Sequence, residues 1–281
     1  MRDFKDKVAV VTGGASGVGR CLAQQLAAEG AKVVITDINA DKLAKTAAEL
    51  MAEGPAGSVE GIASDVTREE SMQALADAVF AKYGHVDLLF NNAGVGLADM
   101  RSPVWELPMK DWQWGFGVHV MGPVHGIKAF VPRMIEQDRE GVVVNTTSSN
   151  GALHSLANTP IYSSSKAALT SLTEVLYAQL KEKAPHIKVG ILFPGPKLVN
   201  TSLLDSPRPD EYRDPANPLP KGVAMSDLAE RMGGIEMTEP DDVAAYCLEC
   251  VKKGQFWMLH PDSGMDGFEA RVNSLRSRTN P

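Results

Sequence analysis

A tyrosine and a lysine, Tyr162 and Lys166, lie four positions apart in the stretch Tyr-Ser-Ser-Ser-Lys. On an α-helix this spacing places both side chains on one face, one turn from each other. A free phenol has a pKa of about 10, and a cation one turn away lowers that pKa because it stabilises the phenolate. Since the spacing is common in helices, we interpret the pair as a candidate acid/base device only together with the motifs that precede it.

A glycine-rich turn near the N-terminus is the first of these motifs. The apolar run 7–12 leads into Gly-Gly-Ala-Ser-Gly-Val-Gly, and Val18, Leu22 and Leu26 then mark one face of an amphipathic helix that Gly30 ends. Glycines allow the backbone to approach a pyrophosphate, and a helix N-terminus offers N–H donors and a positive dipole. The turn therefore predicts a dinucleotide site. Its predicted cofactor contacts are Gly13, Ser16, Gly17, Val18 and Gly19.

An acidic residue, Asp37, ends the next apolar run at 32–37. A carboxylate at this position accepts a hydrogen bond from the 2′-hydroxyl of the adenosine ribose and repels a 2′-phosphate. No arginine or lysine lies within the glycine turn or immediately after Asp37, so the sequence favours NAD over NADP as the cofactor. Asp37 could also cap the helix that begins near Asn39, and that role is compatible with the first.

Strand and helix patterns alternate along most of the chain. Repeated βα units predict an α/β fold with a parallel sheet and helices on both faces, and ligands of such sheets bind at the carboxyl ends of the strands. The predicted strands are 7–12, 32–37, 59–64, 86–91, 142–147, 187–193 and 255–259. After the first helix, the predicted helices are 40–53, 67–83, 108–135, 160–183 and 240–252.

Composition narrows the class of protein. The 281 residues, 44% hydrophobic and 22% charged, fit one large globular domain or two smaller ones. A net charge of -7 argues against nucleic acid or an anionic membrane as the main partner. No apolar run approaches the ~18 residues of a bilayer span, and the start lacks a secretory signal pattern, so we expect a cytoplasmic location.

The cysteines do not predict a metal site or a disulfide framework. Their number, 3, is odd, and Cys247 and Cys250 have no second pair of ligands at the spacing of a zinc site. Both fall within a helical pattern, which favours packing in the core.

The motifs occur in the order found in short-chain dehydrogenases/reductases, and the chain resembles that family over roughly residues 5–200. They are Thr-Gly-Gly-Ala-Ser-Gly-Val-Gly at 12–19, Asn-Asn-Ala-Gly at 91–94, Ser148, Tyr162 with Lys166, and Pro-Gly at 194–195. The resemblance implies a single Rossmann domain over 1–281, a doubly wound sheet of about seven strands, an NAD(P)(H) cofactor, a small-molecule substrate and a homodimer or homotetramer.

Further cofactor contacts follow from the same resemblance. Asp65 and Val66 match the pair that contacts the adenine. Val199 and Thr201 match positions near the nicotinamide carboxamide only if two residues are inserted after the Pro-Gly motif. The other residues that match the cofactor cleft are Asn91, Ala93, Gly94, Tyr162, Lys166, Pro194 and Gly195.

The resemblance also implies the catalytic roles. Tyr162 exchanges a proton with the substrate oxygen, while Lys166 lowers the pKa of Tyr162 and hydrogen-bonds the nicotinamide ribose. Ser148 holds the substrate oxygen and is preferred to Ser149, because the family has a glycine three residues later and Gly151 provides it. Ser148 then lies one position further from Tyr162 than is usual, so Ser149 stays open as an alternative.

His119 departs from the family pattern. Relatives have an asparagine there, which is thought to hold a water molecule that links the lysine to solvent. Histidine also donates and accepts hydrogen bonds and titrates near neutrality, so we interpret His119 as a fourth catalytic residue. The alternative is a packed polar residue that takes no part in proton transfer.

Two segments lie outside the motifs. Residues 205–220 contain five prolines and cannot form a regular helix, so we predict a substrate lid within about 196–235. A partner-facing or disordered insert is the alternative. Residues 260–281 form a polar tail with helical character, and either packing on a neighbouring subunit or exposure to solvent is compatible with its sequence.

The predicted reaction is reversible hydride transfer between a secondary alcohol or ketone and NAD. The stretch 112–134 is similar to aryl-alcohol Cα-dehydrogenases, which favours a bulky, apolar or aromatic substrate. Aromatic residues at helical spacing are mostly core, so we expect pocket residues only in the loop after Ser148 and in the lid. A ketoacyl- or steroid-type reductase has the same motifs, and a catalytically impaired NAD-binding regulator is a second alternative.

Overall fold

The computed structural model describes residues 1–55, 57–96, 99, 102–206, 208–213, 215–216, 224–231 and 233–280. Its strands are β1 (Val8–Thr12), β2 (Lys32–Thr36), β3 (Val59–Gly61), β4 (Leu88–Asn91), β5 (Gly141–Thr146), β6 (Ile187–Phe193), β7 (Leu198–Val199), β8 (Met237–Thr238) and β9 (Trp257–Leu259). Its helices are α1 (Gly17–Ala28), α2 (Ala40–Glu53), α3 (Glu69–Tyr83), α4 (Met109–Phe116), α5 (Gly122–Glu136), α6 (Ser149–Ala152), α7 (Pro160–Lys183), α8 (Met225–Arg231), α9 (Pro240–Lys253) and α10 (Asp266–Ser277).

Seven parallel strands form the main sheet in the order β3-β2-β1-β4-β5-β6-β9. Strands β1 and β5 are buried at every position, because helices cover both faces of the sheet. The order reverses direction between β1 and β4, which are neighbours, and a crevice opens at such a point at the carboxyl ends of the strands. The predicted doubly wound Rossmann-like fold is confirmed.

A hydrophobic core lies on each face of the sheet. On one face α1 packs through Leu22 and Leu26 against a cluster that includes Val251 of α9. On the other face Met72 of α3 and Phe130 of α5 pack with residues of α7. Because the strands are held from both sides, their carboxyl ends provide a fixed edge for the loops that follow them.

Two predicted elements differ from the observed ones. The predicted strand 59–64 ends at Gly61, because β3 is an edge strand whose single partner β2 ends at Thr36. The predicted helix 108–135 is divided into α4 and α5 by a π-helical segment, Gly117–Met121. A hydrophobic pattern does not report such a widened turn, and π-helical turns often occur at functional sites.

The segment after β6 forms short elements. Strand β7 pairs with β8, and 3-10 turns lie at Leu203–Asp205 and Asp210–Tyr212. Of the predicted lid, residues 207, 214, 217–223 and 232 lie outside the described residues, and they include prolines 207, 218 and 220. The tail contains α10.

The part of the chain that the structure describes contains neither a candidate membrane span nor a cluster of metal ligands. No helix there combines the length and the apolar character that a membrane span requires. Within the same ranges, no group of three or more His, Cys, Asp or Glu side chains is arranged to hold a metal ion. Cys247 and Cys250 are free and buried in α9, as packing residues are, while the free thiol of Cys21 is half-buried.

Candidate active site

A cleft of about 620 Å³ lies at the carboxyl ends of the central strands. It brings together most of the residues that the sequence predicts for the site. These residues are Gly13, Ser16, Gly17, Val18, Asp37, Asp65, Val66, Ala93, Gly94, Ser148, Tyr162, Lys166, Pro194, Val199 and Thr201. Ser149 also lines the cleft.

The glycine turn provides a cradle for a phosphate. Gly13 has φ +65, and a Cβ at this position would lie 2.8 Å from the Cα of Ala93, so only glycine fits there. No side chain in the described structure caps α1 at Ser16, and no acidic residue lies in the first turn of the helix. The N–H groups and the positive end of the α1 dipole therefore suit an anionic group such as a pyrophosphate.

Thr12, at the end of β1, joins the glycine turn to the turn after β4. Its Oγ1 accepts hydrogen bonds from the backbone N–H groups of Asn92 and Ala93, both at 3.0 Å, and donates to the carbonyl of Phe90 at 3.3 Å. Asn92 Nδ2 donates to the Thr12 carbonyl at 3.1 Å. The two turns that form the floor of the cleft are therefore held together by one residue.

Asp37 lies at one end of the cleft. Its Oδ1 accepts from the backbone N–H of Asn39 at 3.0 Å, and Asn39 Oδ1 in turn caps α2 by accepting from the N–H of Lys42. Asp37 thus supports the cap of α2 while its carboxylate lines the cleft. Lys42 lines the cleft as well. It lies within the first turn of α2, neither in the glycine turn nor next to Asp37, so the sequence motifs do not indicate it.

Predicted residues at four positions lie outside the cleft lining. A Cβ on Gly19 would lie 2.3 Å from the Gly13 carbonyl, so Gly19 allows close packing within the turn. Asn91 is buried, and its Nδ2 donates to Asn145 Oδ1 at 2.8 Å. Gly195 and His119 are the other two predicted residues that do not line the cleft.

Thr201 reaches the glycine turn in spite of the insertion after the Pro-Gly motif. A Cβ built on Gly17 would lie 3.1 Å from Thr201 Cγ2, so the two residues are neighbours across the cleft. Val199, in β7, lines the same wall. The pairing of β7 with β8 places this wall, since Val199 is opposite Thr238 in register.

Tyr162, Lys166 and Ser148 meet beside this cradle. Tyr162 and Lys166 lie in the first half of α7, and Ser148 follows β5. Ser148 and Tyr162 line the same cleft, and Ser148 acts to lower the pKa of the Tyr162 phenol. Lys166 Nζ donates to the Thr146 carbonyl at 2.9 Å and lies 5.7 Å from the centroid of the Tyr162 ring. The arrangement can exchange a proton with a bound hydroxyl or carbonyl group.

The charges in this group differ from the sequence expectation. From the sequence we expect Lys166 to lower the pKa of Tyr162, but burial raises the pKa of the phenol, and Asp99 raises it further. Ser148 acts in the opposite direction and lowers the pKa of the phenol. Burial also lowers the pKa of Lys166 to about 7, because the ammonium loses its hydration there. Lys166 therefore loses its proton more readily than an exposed lysine does.

His119 lies behind Tyr162 in the π-helical segment. It is 0% exposed, and its ring contacts Tyr162 edge-on with centroids 5.3 Å apart. Nδ1 hydrogen-bonds Ser165 Oγ at 2.9 Å, and Nε2 lies 3.1 Å from both the N–H and the carbonyl of Val95. Burial, with the charge of Lys166, lowers the pKa of His119 well below its usual range, so the imidazole is neutral.

The substrate side of the cleft is partly apolar. Trp114 of α4 and Val118 of the π-helical segment line it, so the expectation that only the loop after Ser148 and the lid contribute is too narrow. Asn150, His154 and Met225 line it from those two segments, whereas Trp105 is 80% exposed.

The C-terminal helix lies next to this side. A Cβ added to Gly267, at the start of α10, would lie 3.0 Å from His154 Cβ. Met265 and Phe268 pack on a cluster formed by Leu153 and Phe193.

A strap, defined here as residues 201–206 and 208–213, crosses from the nucleotide side to α4. The Leu203 carbonyl accepts from the N–H of Gly96 at 2.7 Å. Arg208 forms an ion pair with Asp111 of α4, and the two side chains are only 4% and 2% exposed. The ring of Tyr212 lies 5.0 Å from that of Trp114. These contacts attach the strap to both sides of the cleft.

The Gly151→Ala change is expected to destabilise the loop that holds Ser148. Gly151 has φ +102, and a Cβ would lie 2.1 Å from the Ser163 carbonyl oxygen of α7. The backbone strain alone costs about 1–3 kcal/mol, and the overlap adds to it. We expect a lower midpoint of thermal unfolding and a lower kcat. Gly254→Ala is the control, because φ there is +67 but a Cβ meets nothing within 4 Å in the described structure; equal losses in the two variants would contradict the role of the contact.

Comparison with known proteins identifies the family. A family model described as short chain dehydrogenase matches residues 7–211. The chain is 34% identical over 268 residues to a CLA biosynthesis dehydrogenase/reductase of Lactiplantibacillus plantarum, which covers 93% of this chain and 91% of that protein. It is 37% identical over 213 residues to a C alpha-dehydrogenase of Sphingobium sp., with coverages of 75% and 67%.

A solved structure has the same fold over the whole chain. The crystal structure of a short chain dehydrogenase/reductase from Burkholderia phymatum in complex with NAD superposes with a TM-score of 0.90 at 36% identity, covering 100% of this chain and 98% of that one. The chain belongs to the short-chain dehydrogenase family.

Proposed function

We propose that this short-chain dehydrogenase interconverts a secondary alcohol and its ketone with NAD(H). The observation that carries the proposal is that Ser148, Tyr162 and Lys166 line the same cleft as the glycine turn and Asp37. An acid/base pair and a phosphate cradle on one wall are what hydride transfer with a dinucleotide needs. Oxidoreductase activity in named relatives of the family supports the reaction class.

The residues of the cleft fit an NAD molecule. When bound, the nicotinamide supplies the hydride acceptor or donor. The glycine turn and the α1 N-terminus would hold the pyrophosphate, and Asp37 the adenosine ribose. Asp65 and Val66 would lie against the adenine. At the other end Pro194, Val199 and Thr201 would hold the nicotinamide, and Ala93 and Gly94 would form the floor. Gly195 and Asn91 would support these two walls from outside the cleft lining.

Tyr162 is the proposed proton acceptor in alcohol oxidation and the proton donor in ketone reduction. Ser148 would hold the substrate oxygen against Tyr162. In alcohol oxidation the proton of the substrate hydroxyl would pass to the Tyr162 phenolate, and the hydrogen on the carbinol carbon would pass with its electron pair, as a hydride, to the nicotinamide. Lys166 would support the phenolate and bind the nicotinamide ribose. Because Ser148 follows β5 directly and the other two side chains project from α7, orientation supplies much of the rate. His119, whose ring packs edge-on against Tyr162, is the proposed fourth catalytic residue.

The proposed substrate is a bulky, apolar or aromatic secondary alcohol. Trp114, Val118 and Met225 give the cleft an apolar wall, while Ser148 and Tyr162 provide the polar end. The strap and the rest of 196–235 are the proposed lid.

A panel of secondary alcohols, aryl, alicyclic and long-chain, tested with NAD and monitored by NADH absorbance, tests the proposal. We expect turnover that rises with the apolar bulk of the alcohol. Preference for a ketoacyl thioester in the reductive direction would favour the reductase alternative. Tight NAD binding without turnover, in the wild type and in His119→Asn, would favour a regulator and overturn the proposal. We also propose that the protein is cytoplasmic and forms a homodimer or homotetramer.

Asp37→Ser is expected to change the cofactor preference. Removing the carboxylate should lower kcat/KM for NAD by about 10- to 100-fold, as expected for the loss of a charge-assisted hydrogen bond. It should raise kcat/KM for NADP, because the repulsion is gone and Lys42 remains at the cleft. Steady-state kinetics with both cofactors measures the switch. Asp41→Ser, an acidic residue in the first turn of α2, is the control; a wild-type preference for NADP would contradict the role of Asp37.

A further inference from the structure

The first turn of α7, which carries Tyr162, cannot satisfy its own backbone donors. Pro160 opens the helix and has no N–H, and the first intrahelical bond runs from the Ser163 N–H to the Thr159 carbonyl. The N–H groups of Ile161 and Tyr162 therefore need an acceptor from elsewhere. Thr159, at the cap position, does not supply it, because its Oγ1 contacts Ser163 Oγ and accepts from Asn150 Nδ2.

Asp99 supplies that acceptor from the loop after β4. Its Oδ2 accepts from the N–H of Ile161 and from the N–H of Tyr162, each at 3.0 Å. The side chain is buried, with a relative exposure of 2%. A carboxylate at a helix N-terminus also interacts favourably with the helix dipole. One residue from the loop beside Ala93 and Gly94 thus caps the catalytic helix.

We infer that Asp99 is a positioning residue, which holds the first turn of α7 so that the Tyr162 hydroxyl stays within reach of Ser148 and the cofactor cleft. The inference rests on the proposed function of Tyr162. It assigns Asp99 a task that the motifs of the sequence did not indicate, because the carboxylate and its two donors lie far apart in the chain.

The charge of Asp99 gives this role a signature in the pH dependence. Asp99 raises the pKa of Tyr162, since a nearby anion disfavours the phenolate. Burial raises the pKa of Asp99 itself, Asp111 of α4 adds to this, and the two N–H groups oppose it. Among the described residues, Lys166 of α7 and His119 of the π-helical segment also lie beside Tyr162. Asp111 of α4, which acts on Asp99, pairs with Arg208 of the strap.

Two substitutions separate the hydrogen-bonding role from the charge. Asp99→Asn retains an oxygen acceptor and removes the charge, so kcat should stay close to wild type while the acidic limb of alcohol oxidation moves to lower pH. Asp99→Ala removes the acceptor, and kcat should fall by up to about 10²-fold, the loss that a displacement of ~1 Å can cause. The readouts are the pH profile of kcat and hydrogen exchange of the amides of residues 161 and 162.

The exchange measurement separates this inference from the proposed function. If no alcohol is turned over, the proposed function fails, yet fast exchange at 161 and 162 in Asp99→Ala and protection in Asp99→Asn would still support the cap. Equal exchange in wild type and Asp99→Ala would overturn it, as would equal loss of kcat in both variants with no shift of the limb. Asp87→Asn is the matched control, because this buried carboxylate accepts from the Val8 N–H at 2.9 Å before β4, remote from Tyr162.

Discussion

Replacing Tyr162 with phenylalanine is expected to lower kcat by about 10²- to 10⁴-fold, the usual contribution of a positioned acid/base group. Affinity for NADH should remain close to that of the wild type. The substitution removes the phenol hydroxyl and keeps the ring that packs against His119 and lies near Lys166. The fold and the cradle for the nucleotide are thereby preserved. Stopped-flow or steady-state rates and fluorescence titration with NADH measure the two effects.

Tyr177→Phe is the matched control for this experiment. Tyr177 lies on the same helix, is 38% exposed and packs its ring on Phe256 at 4.7 Å, so its hydroxyl should not matter for turnover. Full activity of Tyr162→Phe would remove Tyr162 from the mechanism. A parallel loss of NADH binding would instead show that the tyrosine acts mainly through the cofactor site.

Replacing Arg208 with methionine is expected to cost about 3–5 kcal/mol of unfolding free energy, as when one partner of a buried ion pair is removed. Arg208 and Asp111 are 4% and 2% exposed, so the substitution removes the guanidinium from a buried ion pair. Because the strap carries Thr201, Leu203 and Ser206 into the cleft, KM should rise as well. Urea unfolding and steady-state kinetics give the two values.

A double-mutant cycle isolates the ion pair from other contacts of the strap. Combining Arg208→Met with Asp111→Leu should recover much of the lost stability, since an apolar pair of similar volume is often neutral or stabilising. Lys253→Met is the control, because the Lys253–Glu249 pair is 58% and 57% exposed and surface ion pairs contribute little to stability. Strictly additive losses in the cycle would mean that the two side chains do not interact energetically.

Much of the fold is predictable because its signals are local. The strand, glycine turn and helix at 8–28 follow one another in sequence, and each is defined by residues within a few positions. The repeated βα pattern then predicts a parallel sheet. Asp37 and Ser148 follow strands of that sheet, and Tyr162 lies at the start of a helix, so all three are expected at the same edge of the sheet from the sequence alone.

The remaining features depend on contacts between distant parts of the chain. Asp99 caps α7, and Arg208 pairs with Asp111, without any local pattern that marks either contact. The widened turn that holds His119 is also invisible in a hydrophobic periodicity. The pKa of Tyr162 is raised, whereas the sequence predicts that Lys166 lowers it. Helical spacing indicates the distance between the two side chains but not the burial of both groups.

The hydrogen bonds of Thr12 have a consequence for the thermodynamics of nucleotide binding. The turns after β1 and β4 cannot separate unless the bonds from Asn92 and Ala93 to Thr12 Oγ1 break together. The crevice is therefore preorganised, and little conformational entropy is lost there when a ligand enters. Ordering a mobile side chain costs about 0.5–1.5 kcal/mol, so a floor that is already ordered leaves more of the contact energy to appear as affinity.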